Sequence, residues 1–114
     1  MMYKLCFYVP EQYLNVVKSA LFAAGAGRIG NYDSCCWQVL GSGQFRPLKG
    51  STPFLGEPGK IHQVDEYRVE MICADEHLRS VVDALLQAHP YEEPAYDVTR
   101  LVTDYRGAVA KNHE

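Results

Sequence analysis

The sequence predicts an α+β domain in which one four-stranded antiparallel sheet carries two helices on a single face. Two amphipathic helical stretches, each between β-prone stretches, are the first observation. Their order, strand, helix, strand, strand, helix, strand, is the second. The third is a length of 114 residues, which suits one core and not two.

Residues 3–9, YKLCFYV, form the first predicted strand, with Leu5, Phe7 and Val9 on one side and Lys4, Cys6 and Tyr8 on the other. Pro10 stands at or before the start of a helix whose Leu14, Val17, Leu21 and Ala24 recur at three- and four-residue spacing, beside Val16 and Ala20. Gly25 and Gly27 stop it. Residues 34–40, SCCWQVL, read as the second strand, and a turn-rich passage follows from Gly41 to Gly59 that includes a short extra hairpin or bulged extension at Gln44 to Leu48. The third strand covers 61–74, where Tyr67, Val69, Met71 and Cys73 alternate with Arg68, Glu70 and Ile72. Asp75 caps a second helix striped by Leu78, Val81, Val82, Leu85 and Leu86 and ended by Pro90. Residues 95–103 make the last strand, closing a ferredoxin-like βαββαβ domain over 1–103, with a polar tail at 104–114.

Both helices lie on the same face of such a sheet. The other face carries Cys6, Tyr8, Ile72 and, depending on register, some of Cys36, Leu40 and Leu101. An apolar sheet face asks for a partner, and self-association is the expected answer; the competing reading is a different register that scatters these residues.

A formal charge of -3 gives no basic footprint, so nucleic acid is not an expected partner. The first strand's LCFYV suits an RNA-binding sheet, but the third strand has Asp65, Glu66 and Glu70 where basic and aromatic residues are needed. No run approaches the ~20 apolar residues of a membrane span, and the N-terminus lacks the pattern of a secretory signal. A cytoplasmic protein with no membrane partner is expected, and its four cysteines are read as reduced thiols.

Gly25, Gly27 and Gly30 in AGAGRIGNY spell the G-x-G-x-x-G of a dinucleotide loop. Such a loop needs a strand before it and a helix N-terminus after it, and here the order is reversed. The carbonyl end of a helix repels phosphate, so the glycines are read as a C-cap and a close-packed connection. Cys35 and Cys36 could join His62, His77 or His89 around a soft metal, although neighbouring strand residues point to opposite faces. His77 and His89 are read as solvent-facing or as partners of a helix C-terminus. In HPYEEPAYD, residues 89–97, the carboxylates could form an acid and base pair, but the two prolines give the turn a structural reason, which is favoured. No catalytic residue and no metal ligand is assigned; the cofactor is unknown, with a divalent metal left open.

GAGRIGNYDSC, then GSGQFRPLKGSTPFLGEPG, then VDEYRVE resemble the domain inserted in Ngg-interacting-factor-three-like proteins of the YqfO type. The resemblance extends through HPYEEPAYD to about Val102. HPYEEP is also similar to the His-Pro-Tyr-Glu-x-Pro turn of the divalent-cation-tolerance protein CutA. The resemblance implies a CutA/PII-like fold whose subunits form homotrimers with sheets turned inward. It implies no enzyme activity here, because the metal ions of the full-length family are held by flanking domains whose residues do not stand in this sequence. It places Asn31, Tyr32, Arg46, Glu66 and Arg68 nearest a subunit cleft as ligand-binding residues; the alternative is that Glu66, Arg68 and Glu70 only form ion pairs. The expected function is a non-enzymatic oligomeric sensor or adaptor that binds a small ligand, a metal ion or a protein target. The alternatives are a metal-dependent enzyme or metal-tolerance protein with a Cys, His and carboxylate site across subunits, and a structural accessory of a larger enzyme.

Overall fold

The computed structural model describes residues 1–102. The chain runs β1 (Met2–Pro10), α1 (Glu11–Ala24), β2 (Trp37–Phe45), β3 (His62–Ala74), a 3-10 turn (Asp75–His77), α2 (Leu78–Ala88) and β4 (Tyr96–Leu101). The strands form one antiparallel sheet in the order β2-β3-β1-β4. This is the ferredoxin-like sandwich that the element order predicts, and it agrees with the CutA/PII-like fold that the motif resemblance implies.

The alternation in β1 and β3 decides which face is covered. Leu5 opposes Met71 and Phe7 opposes Val69, so the buried residues of the two central strands form one patch. Leu14, Val17 and Leu21 of α1 and Val81 and Leu85 of α2 close over it. Burying each such side chain fully is worth about 1.5–3 kcal/mol, and this patch supplies the core. The flanking members of the apolar stripes stay outside, with Val16 and Leu86 exposed.

The opposite face has no helix over it. Lys4 opposes Ile72, Cys6 opposes Glu70 and Tyr8 opposes Arg68, as the alternation predicts. Leu101 joins this face opposite Met2. Leu40 does not: it pairs with Tyr67 on the helix side, and Cys36 packs against the core. Glu70 receives Lys4 at 3.2 Å and Arg68 at 3.1 Å, so these three charges are paired within the face, which also carries Glu66 and Asp97. Trp37 and Val39 extend it along β2 and are exposed.

Strand β2 and the start of α2 differ most from the sequence reading. Strand β2 starts at Trp37 and runs on to Phe45, opposite His62, so Gln44 and Phe45 belong to one long hairpin and not to an extra one. Gly41 and Gly43, which read as turn residues, lie inside the strand; a Cβ at Gly43 would overlap Glu66 Oε1. Asp75 opens a 3-10 turn without a side-chain cap, and α2 begins only at Leu78. The tail at 104–114 and residue 103 lie outside the described residues.

Gly25 ends α1 in the left-handed region, φ 117°, with its N-H reaching the carbonyls of Leu21 and Phe22. A Cβ there would also come within 2.7 Å of the His77 ring. Gly25→Ala is therefore expected to destabilise by more than about 1 kcal/mol, read as a lower urea midpoint at unchanged slope. An unchanged midpoint would mean that this cap does not constrain the chain.

Candidate ligand-binding site

Strands β2 and β3 outrun β1. Glu66 is the last residue of β3 paired with β1, opposite Pro10, while the hairpin continues to the Phe45 and His62 pair. Beyond it, residues 46–61 fold back instead of projecting. The N-H of Gly59 donates to the carbonyl of Pro47 at 2.7 Å, closing the base of the loop, and Pro47 is buried. Phe54 meets Tyr13 of α1 edge to face, ring centres 5.4 Å apart. The N-H of Thr52 donates to Glu92 Oε1 at 2.8 Å, which ties the loop to the turn between α2 and β4.

That turn is HPYEEP. Tyr91 sits between Phe45 and Phe54, each ring centre 6.3 Å away, and its hydroxyl donates to Glu66 Oε2 at 2.8 Å. Burial and the adjacent Glu66 carboxylate raise the pKa of Tyr91, so its hydroxyl stays a donor. His89 holds the turn against the sheet. Its Nε2 lies 2.6 Å from the carbonyl oxygen of Tyr8, and its Nδ1 accepts from the N-H of Tyr91 at 3.2 Å. One neutral tautomer, protonated on Nε2, satisfies both contacts.

His89 is thus neither solvent-facing nor a helix-dipole partner, as the sequence suggested; it is 5% exposed. Its acceptor lies 81 positions away on β1, beyond the reach of local patterning. Burial lowers its pKa, against opposing contributions from the Tyr8 carbonyl and Glu66. The unfolded chain therefore binds this proton more readily than the folded one. The stability contribution is complete above the ordinary value near 6.5 and declines as pH falls through the depressed folded value. Wild-type protein should lose more stability between about pH 7.5 and about pH 5.5 than His89→Gln does, measured by urea unfolding. Parallel curves for the two proteins would contradict this role.

Between the loop and the turn lies a cavity of about 440 Å³, within the size range of small-molecule sites. Tyr8, Phe45, Leu48, Phe54, Leu55 and Tyr91 give it aromatic and aliphatic walls. Its charged groups are Arg46, Glu66, Glu92 and Glu93. Gly43 leaves the space that the Glu66 carboxylate occupies, so Gly43→Ala should displace that carboxylate and weaken its bond to Tyr91.

Of the five residues placed nearest a cleft by sequence, Arg46 and Glu66 line this cavity. Arg68 is two residues along β3 on the same face but is paired with Glu70. Asn31 and Tyr32 are elsewhere, exposed in the turn between α1 and β2, where Ile29 and Tyr32 exchange backbone hydrogen bonds of 2.9 Å. That turn lies towards the Ile72 end of β3, since the N-H of Gly27 donates to the Ile72 carbonyl. Within one protomer the five do not converge. Sequence reasoning missed Tyr91, whose signal was present in HPYEEP but was read only as a turn.

A second cavity, of about 280 Å³, opens on the helix-free face between Lys4, Ile29, Trp37 and Glu70, with Cys35 and Cys36 in its wall. Cys6, Cys35, Cys36 and Cys73 are all free thiols. Among the described residues, no three His, Cys, Asp or Glu side chains come together as a metal site. Nor is any helix among them long and apolar enough to cross a membrane.

No protein-family model matches the sequence. The chain is 42% identical over 103 residues to a GTP cyclohydrolase 1 type 2 homolog of Halalkalibacterium halodurans, covering 90% of this chain and 28% of that protein. With the homolog from Mycobacterium leprae the identity is 46% over 99 residues, 87% of this chain and 26% of the relative. Among solved structures, a Bacillus cereus protein related to NIF3 superposes with a TM-score of 0.77 at 40% identity, over 90% of this chain and 26% of that one. The periplasmic divalent cation tolerance protein CutA from Archaeoglobus fulgidus superposes with a TM-score of 0.64 at 16% identity, covering 89% and 84%. That last likeness is one of fold. The chain spans about a quarter of the length of the curated relatives it matches.

Proposed function

For a chain homologous to one segment of the NIF3-related GTP cyclohydrolase 1 type 2 homologs, we propose the role of a binding module, not an enzyme: a homotrimer that takes a small ligand in the cavity beside Tyr91 and serves as a sensor or adaptor. The observation that carries this reading is the cavity itself. Two segments far apart in sequence are fastened to each other by Thr52 and Glu92, yet enclose about 440 Å³ that side chains leave unfilled. Long loops in compact domains are uncommon unless they bind or assemble. The helix-free face supports self-association. It combines Cys6, Tyr8, Ile72, Val39 and Trp37 with Lys4 and Arg68, whose charges Glu70 already pairs. A metal-dependent reaction gains no support, since the donor set among the described residues does not converge.

Leu55→Trp tests the cavity by filling it. Small molecules found by ligand-observed NMR should shift backbone amides near Phe54 and Tyr91 in the parent and should lose binding in the variant. Binders that shift other regions, or that the variant retains, would contradict the assignment.

A further inference from the structure

We infer that the cavity beside Tyr91 takes a protonated organic amine with a compact apolar body. This rests on the binding-module reading above and adds the charge and shape of the ligand. The cavity presents three carboxylates, Glu66, Glu92 and Glu93, against one guanidinium, Arg46. Among the described residues, none of these carboxylates forms a salt bridge. The only polar partner of Glu92 there is the Thr52 N-H.

Glu66 is the centre of the argument. Its Oε2 accepts from the Tyr91 hydroxyl, while its Oε1 lies over Gly43 with no hydrogen-bond donor among the described residues. A half-buried carboxylate with an unfilled acceptor site favours a charged N-H donor, which gives a stronger bond than a neutral one. The rings of Tyr8, Phe45, Phe54 and Tyr91 in its wall bury an apolar body, and an aromatic wall tolerates an organic cation better than an anion. A bare divalent ion would need several converging ligands, which the described residues do not supply. An organic anion would face three like charges for one opposite.

The test uses three probes with the same ring and similar chains: 2-phenylethylamine, 2-phenylethanol and 3-phenylpropanoate, carrying positive, zero and negative charge. Titration calorimetry on the unsubstituted full chain should show the amine binding about 10-fold more tightly than either other probe. Glu66→Gln, which keeps the shape and an acceptor, should remove most of the difference in affinity between the amine and the alcohol. If the alcohol or the carboxylate binds as tightly as the amine, or if Glu66→Gln leaves the preference intact, the amine inference falls and the ligand-binding cavity stands. If none of the three binds, both fall. The three-probe comparison on unsubstituted protein decides the matter even if the variant folds poorly.

Discussion

Ile72→Asp should turn the proposed homotrimer into a monomer that keeps its circular-dichroism spectrum. Ile72 lies on the helix-free face opposite Lys4, and it lines the second cavity with Trp37. Its side chain therefore contributes little to the core on the other face, where Leu5, Phe7, Val69 and Met71 pack. A new carboxylate there would be added beside Glu70, which already occupies both Lys4 and Arg68. Burying an unpaired charge at an interface costs several kcal/mol, enough to dissociate an assembly held by this face. Sedimentation velocity reads the outcome. An unchanged oligomer would show that the subunits meet elsewhere, and a collapsed spectrum would show that Ile72 belongs to the core.

Phe7→Ala should cost about 3–5 kcal/mol of folding stability, a large fraction of the total a domain of this size holds. Phe7 is fully buried at the middle of β1, between Val69 on β3 and Tyr96 on β4. Its removal leaves a void in the core cluster to which both helices and the sheet contribute, and a close-packed core does not simply collapse to fill it. Val16→Ala, on the exposed side of α1, serves as the control and should change stability by less than about 0.5 kcal/mol. Chemical denaturation of the two variants should separate them clearly. Equal effects would mean that the core is not where the alternation places it.

The same alternation explains how much of the fold was legible. Period-two patterning in β1 and β3 and the stripes of α1 and α2 are written in consecutive residues, so the sandwich and its uncovered face follow from them. The glycine stop after α1 was equally local. Strand β2 was misjudged because Gly41 and Gly43 carry turn preferences, and what keeps them extended is pairing with Glu66 and Val64 of β3.

The site was less legible because its contacts join distant segments. His89 meets Tyr8 across 81 positions, Thr52 meets Glu92 across 40 and Tyr91 meets Glu66 across 25. Arg46 and Glu66, placed nearest a cleft by motif resemblance, line the cavity, whereas Asn31 and Tyr32 came with the same motif and lie towards the other end of the sheet. Tyr91 shows the reverse case. A turn that two prolines justify structurally also supplies one wall of the cavity and the donor that orients Glu66.

The binding-module account also requires subunits that meet through the helix-free sheet face, and a native mass spectrum of the unsubstituted chain, purified without an affinity tag, tests this most directly. The account predicts a species of three chains at micromolar concentration. A monomer under those conditions would contradict it.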